Sequence, residues 1–157
     1  MAEKQWKIYL SGEVHSDWRE KLTATIEKSD LPVTFFSPIT DHSASDNCGV
    51  RIIGEEIEPF WKDHQGASLN AIRTRTLISE ADLVIVRFGE KYKQWNAAFD
   101  AGHAAALGKP LIIQHSPEHI HALKEIDAAA LAVVETDEGV ANILKYVIAG
   151  ELPPASA

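Results

Sequence analysis

Apolar and polar positions fall in alternating blocks along this chain, with short apolar runs separated by longer amphipathic ones. The apolar runs are WKIYLSG (6–12), LPVTFFSP (31–38), DLVIVRFG (82–89), PLIIQHS (110–116) and LAVVET (131–136). Each has the length of a strand, and most are rich in β-branched or aromatic residues. Helical patterns lie between them. SDWREKLTATIEKSD (16–30) offers Ser16 as a cap and puts Trp18, Leu22, Thr25 and Ile26 on one face. SLNAIRTRTLISEA (68–81) turns Leu69, Ile72 and Leu77 inward. The stretch from Gln94 is alanine-rich and stops at Gly108-Lys109-Pro110, because Gly ends helices and Pro cannot continue them. PEHIHALKEID (117–127) and DEGVANILKYVIAG (137–150) complete the set.

Strands and helices that alternate in this way predict an α/β fold: a single-domain, three-layer α/β/α sandwich with a five-stranded parallel sheet. The expected strand order is the flavodoxin/Rossmann-like 2-1-3-4-5. The domain spans residues 1–150, and 151–157 reads as a flexible C-terminal tail. In such sheets ligands bind beyond the carboxyl ends of the strands, where the order reverses. Three loops are selected: Ser11 to His15, Phe88 to Lys93, and the long segment from Ser37 to about His64. The last reads either as a lid, with Phe60 or Trp61 as apolar cover, or as a solvated excursion with one short helix.

Composition narrows the partners. The net charge is -8, from 15 Lys+Arg against 23 Asp+Glu. That balance argues against nucleic acid but leaves room for a small anionic ligand held by a local cluster. No apolar run reaches the length of a membrane span. The opening MAEKQWKIYLSG lacks the apolar region of a signal peptide, so a cytoplasmic protein is expected. The single cysteine, Cys48, has no intrachain disulfide partner.

Common nucleotide fingerprints are absent. No G-x-G-x-x-G follows the first strand, and GHAAALGKP has the wrong spacing for a P-loop, with Pro where Ser or Thr belongs. His115, His119 and His121 read as solvated surface residues, and neither a metal nor a cofactor is predicted. Arg73 and Arg75 are two apart, so one at most faces the crevice. Asp100 is the exception in its helix. It sits among Ala97, Ala98, Phe99, Ala101 and Gly102, where an unpartnered charge is costly. Either it accepts hydrogen bonds from a nearby turn, or it points into the crevice, where the helix N-terminus favours its ionised form. Asn96 and His103 lie one turn to either side of it.

Three segments carry a family resemblance: IYLSG (8–12), EADLVIVRFG (80–89) and AAFDAGHAAALGKPLII (97–113). Together they resemble the nucleoside 2-deoxyribosyltransferases and related nucleotide N-glycosidases, most closely the YtoQ group. The similarity covers residues 6 to 115. It implies a carboxylate nucleophile at the position of Asp100 and an orienting tyrosine at Tyr9. The reaction implied is transfer or hydrolysis at the N-glycosidic bond, through attack on the sugar C1′. The alternative is a non-catalytic nucleotide or sugar-phosphate binding protein on the same fold. The resemblance also places Ser11, Gly12, Glu13, Arg73, Thr74, Gly89, Gln94 and Asn96 around a nucleoside or nucleotide. It implies a homodimer or higher homo-oligomer. Three departures from the family pattern stand out, at Asp100, Thr74 and Glu13, whereas Gln94 keeps the polar character of its position. The acid is Asp rather than Glu. Thr74 and Gln94 occupy positions that usually carry an acidic and a polar side chain. Glu13 stands where Pro is common.

Overall fold

A computed structural model describes residues 4–91 and 93–155. Five strands form one parallel sheet in the order β2-β1-β3-β4-β5, where β1 is Trp6–Ser11, β2 Val33–Phe36, β3 Leu83–Phe88, β4 Leu111–His115 and β5 Ala132–Val134. The central strands read as continuous apolar runs because both of their faces are covered. Ile8 to Ser11, Leu83 to Val86 and Leu111 to His115 are all buried.

Two cores result. On one face, α1 (Trp18–Glu27) and α6 (Asp137–Leu144) cover Ile8, Leu10, Ile85 and Ile112. On the other, α3 (Pro59–Glu80), α4 (Trp95–Ala106) and α5 (Ile120–Ala129) cover Tyr9, Val84, Val86 and Ile113. Strand alternation assigns the polar residues at the strand ends in the same way. Tyr9 and Ser11 face α3 and α4, whereas Arg87 and Gln114 face α1 and α6. The alanines of α4 explain its close seat: Ala97, Ala101 and Ala104 are buried at a spacing of three to four. After α4, the Lys109 ammonium donates to the Ser79 and Ala81 carbonyls. The GKP motif thus closes the end of α3 as well as that of α4.

The segment from Ser37 to His64 differs most from its reading as a loop. It forms α2 (His42–Ile53) and the start of α3. Asp41 caps α2 by accepting from the Ala44 amide, and the two helices cross at Gly49 and Gly66. A methyl on Gly49 would stand 2.7 Å from the Gly66 nitrogen, so glycine is what permits the crossing. Within α3, Ile72 is exposed rather than inward, and the buried positions are Gly66 and Ile78. Phe60 and Trp61 stand at least thirteen residues before Thr74, about 20 Å along the helix axis. Both are exposed, so the arm does not close over Asp100. α1 starts one residue later than expected, with Asp17 rather than Ser16 at its cap position.

Candidate active site

Asp100 projects from the second turn of α4 toward the end of β1. The Ser11 hydroxyl donates to its Oδ2 at 2.6 Å, and Ser11 is itself buried. The other oxygen, Oδ1, makes no hydrogen bond among the described residues and is not sealed from solvent. Burial raises the pKa of Asp100, while the Ser11 hydrogen bond and the charges of His103 and Arg19 pull it down. The helix N-terminus expected to favour the anion is more than a turn away, and its field fades within the first turn. Desolvation therefore wins.

Tyr9 lies beneath this carboxylate, fully buried. In this structure the hydrogen bond to Asp100 comes from Ser11, not from Tyr9. The Tyr9 hydroxyl is buried without a hydrogen-bond partner among the described residues. Burial, and secondarily the Asp100 carboxylate, push its pKa up to about 12, against smaller opposing effects of Thr74, Arg19 and Arg73. The phenol stays protonated at neutral pH and holds an unused donor. Thr74 is half-buried on α3 near the Tyr9 hydroxyl and favours the phenolate as a weak donor whose geometry falls short of a full hydrogen bond. Arg73 is exposed beside it. Arg75 and His103 instead line a shallow hollow between α3 and α4.

The β1–α1 turn is braced from within. Gly12 has φ +155, and a Cβ there would lie 2.7 Å from the Trp18 ring and 2.9 Å from the Arg87 carbonyl oxygen. The Glu13 carboxylate accepts from the Ser16 hydroxyl and from the His15 and Ser16 amides. Partial burial opposes its charge, but these bonds hold its carboxyl below the ordinary value. Arg19 donates to the carbonyls of Glu13, Gly12 and Leu10. Its burial was not read from the sequence, although 19, 22 and 26 follow the helical spacing of the inward face.

Gln94 braces the next turn, donating to the Gly89 and Lys91 carbonyls and accepting from the Gly89 amide. Asn96 is exposed at the start of α4. The larger hollow, about 440 Å³, opens beyond the ends of β1, β3, β4 and β5 and includes Glu13, Arg87, Gly89, Lys91 and Gln114 but not Asp100. His115 is buried rather than solvated, bonded to Asp127 at 3.0 Å and to the Ser116 carbonyl. His119 reaches the Gly89 carbonyl, and His121 is exposed. Among the described residues, no three His, Cys, Asp or Glu side chains are grouped to hold a metal ion, and no helix is long and apolar enough to cross a membrane.

This arrangement has close relatives. An uncharacterized protein YtoQ from Bacillus subtilis (strain 168) is 43% identical over 144 residues, which span 92% of this chain and 97% of that protein. The 2-deoxyribosyltransferase from Bacillus psychrosaccharolyticus superposes with a TM-score of 0.55 at 23% identity, over 87% of this chain and 90% of that one. A conserved protein from Enterococcus faecalis V583 superposes with a TM-score of 0.63 at 15% identity, over 92% and 99%. At those identities the two solved structures speak for the fold alone. The family described as nucleoside 2-deoxyribosyltransferase YtoQ matches residues 9–148. The chain belongs to this YtoQ family of nucleoside 2-deoxyribosyltransferase-like proteins.

Proposed function

We propose that this protein cleaves or transfers the N-glycosidic bond of a nucleoside or nucleotide, with Asp100 as the nucleophile at C1′. One observation carries the reading: a half-buried carboxylate in a wall of alanines has one oxygen held by Ser11 and the other left unbonded. A nucleophile needs a fixed orientation and a free lone pair, and this acid has both. Oδ1 forms a bond to C1′ as the C1′–N bond breaks. The bonding pair leaves with the base, which takes up a proton. Water or a second base then attacks C1′, loses its proton and releases the carboxylate. The Tyr9 hydroxyl, buried beneath the carboxylate, is a donor for the carboxylate rather than for the sugar. Small residues on α4 let the sugar approach the shorter Asp side chain.

The oligomer implied by the family resemblance is part of this reading. Ile52, Ile53, Ile57, Phe60 and Trp61 on the arm, with Trp95 and Phe99 on α4, are exposed. Large apolar side chains left exposed on the arm and on α4 support burial against a second copy. A rival reading, a binder without chemistry, draws on Thr74 and Gln94. The first has no charge to offer, and the second is engaged by backbone. Incubation with a panel of nucleosides and 5′-monophosphates separates the two. Free base released by the wild type and not by Asp100→Asn supports the enzyme. Binding without base release from any member supports the rival.

A further inference from the structure

The hollow beyond the strand ends has a composition that the proposed chemistry at Asp100 does not use. Arg87 is half-buried at the end of β3, with its guanidinium carbon 5.7 Å from the Trp18 ring. It makes no ion pair or hydrogen bond with a described residue. Its Nη1 lies 3.0 Å from where a Cβ of residue 89 would stand, so Gly89 leaves the space that the guanidinium fills. Lys91 lines the same end.

The β4 and β5 side of the hollow, which begins with the register partner of Arg87, is built from acceptors. Gln114 is 4% exposed, and its Nε2 donates to Asp137 Oδ1 at 2.8 Å. Flipping the amide would set oxygen against carboxylate oxygen, so Asp137 fixes its orientation. Among the described residues, Gln114 Oε1 is then a buried acceptor with no donor, and the neighbouring Ser116 hydroxyl is also buried and unpaired. Glu135 follows β5 beside them, whereas Glu90 stands on the cationic side. The Glu13 carboxylate is saturated by its own turn. Buried polar groups without partners cost stability and persist where something completes them.

We propose that this hollow binds a small molecule that carries an anionic group, held on the β3 side, and N–H donors, held on the β4 and β5 side. Arg87 takes the anion as a planar two-pronged donor, and Gln114 Oε1 with Ser116 takes the N–H edge. A phosphate or carboxylate meets the first demand. An amino or amide group, such as the edge of a nucleobase, meets the second. The site stands whether or not Asp100 is a nucleophile.

The test uses NMR titration of the full chain carrying Asp100→Asn, so that no turnover intervenes. The probes are cytidine 5′-monophosphate, cytidine and inorganic phosphate. The reporters are the Gln114 side-chain amide and the Trp18 indole N–H, which donates to the Glu13 carbonyl at the rim. Cytidine 5′-monophosphate should shift both saturably and bind more tightly than either fragment. Arg87→Met keeps much of the apolar stem over Trp18 and should weaken it about tenfold to a hundredfold, with the melting temperature confirming a folded protein. Three results overturn the proposal: no saturable shift with any probe, equal affinity in Arg87→Met, or inorganic phosphate binding as tightly as the nucleotide. Loss of base release in Asp100→Asn with none of these shifts would support the nucleophile and remove the hollow. Shifts without any base release by the wild type would do the reverse.

Discussion

Ser11 and Arg87 stand on neighbouring strands, one step apart in register, and point to opposite faces of the sheet. The polar groups around them are treated in opposite ways. On the α3/α4 face the chain holds one acid by a single short hydrogen bond and surrounds it with small apolar residues. On the α1/α6 face it leaves an arginine and an amide oxygen unpaired around an open hollow. A group that reacts must be oriented and kept nearly dry, whereas a group that recognises must keep its hydrogen-bonding capacity free. On the proposals above, the first region carries the chemistry and the second the recognition.

The strongest way to break it is Asp100→Asn. The amide keeps the shape and can still accept from Ser11, but it cannot form the glycosyl ester. Turnover on a verified substrate should fall by orders of magnitude. Stability should move the other way. The folded pKa of Asp100 is raised, so the folded state holds this proton more tightly than the unfolded chain. Its contribution is most favourable below the ordinary carboxylate pKa and is lost as pH rises through the raised value. At neutral pH the asparagine protein should melt no lower than the wild type. A marked drop in melting temperature would make Asp100 a structural acid.

Gly12→Ala tests what the two regions share, because Gly12 joins Ser11 to the rim of the hollow. Its methyl would meet the Trp18 ring and the Arg87 carbonyl, and its φ of +155 disfavours a side chain. A loss of roughly 1–3 kcal/mol is expected, read as a lower denaturation midpoint, with both turnover and nucleotide binding impaired. An unchanged midpoint would show that the turn relaxes freely and that the two regions are not mechanically joined.

Tyr9→Phe is milder. It removes one donor from the reaction, a cost of up to about tenfold in turnover at 1.4 kcal/mol. It also removes a buried hydroxyl that has no partner, so the variant should be at least as stable as the wild type. Lower stability with full turnover would mean that the hydroxyl is satisfied and serves packing alone.

Much of this was legible in the sequence. Five apolar runs at strand length pointed to the parallel sheet, most plainly for β1, β3 and β4, where continuous burial leaves its mark. Asp100 was conspicuous as the one acid in an alanine-rich helix. The arm was not legible: its start, DHSASDNCG, has loop composition, and the Gly49–Gly66 crossing that makes it helical depends on residues 17 apart. Ile72 follows helical spacing and is still exposed, since periodicity tells which residues share a face and not what covers it. Arg87 and Gln114 sit in strands that otherwise read as apolar. A polar residue at the carboxyl end of such a strand was the available signal, and alternation alone would have sent both to one face. The exchange of Ser11 for Tyr9 as the partner of Asp100 rests on side-chain reach across β1 and α4, which no local pattern encodes.

That exchange supplies the smallest effect and the most specific one. The Ser11 hydroxyl stabilises the charged form of Asp100, against burial that favours the neutral form. Removing the donor in Ser11→Ala should therefore raise the Asp100 pKa further. If Asp100 must be ionised to attack, the acidic limb of kcat/KM against pH begins above the ordinary carboxylate range in the wild type. In Ser11→Ala that limb should move to higher pH. Near the upper plateau, where Asp100 is charged in both proteins, the difference should be small and reflect looser orientation alone. Ser11→Thr keeps the hydroxyl and should restore the limb, which separates the hydrogen bond from the packing of a buried position. A pH profile that Ser11→Ala leaves in place would mean that another group sets the limb, and Asp100 would lose its role as the nucleophile that titrates there.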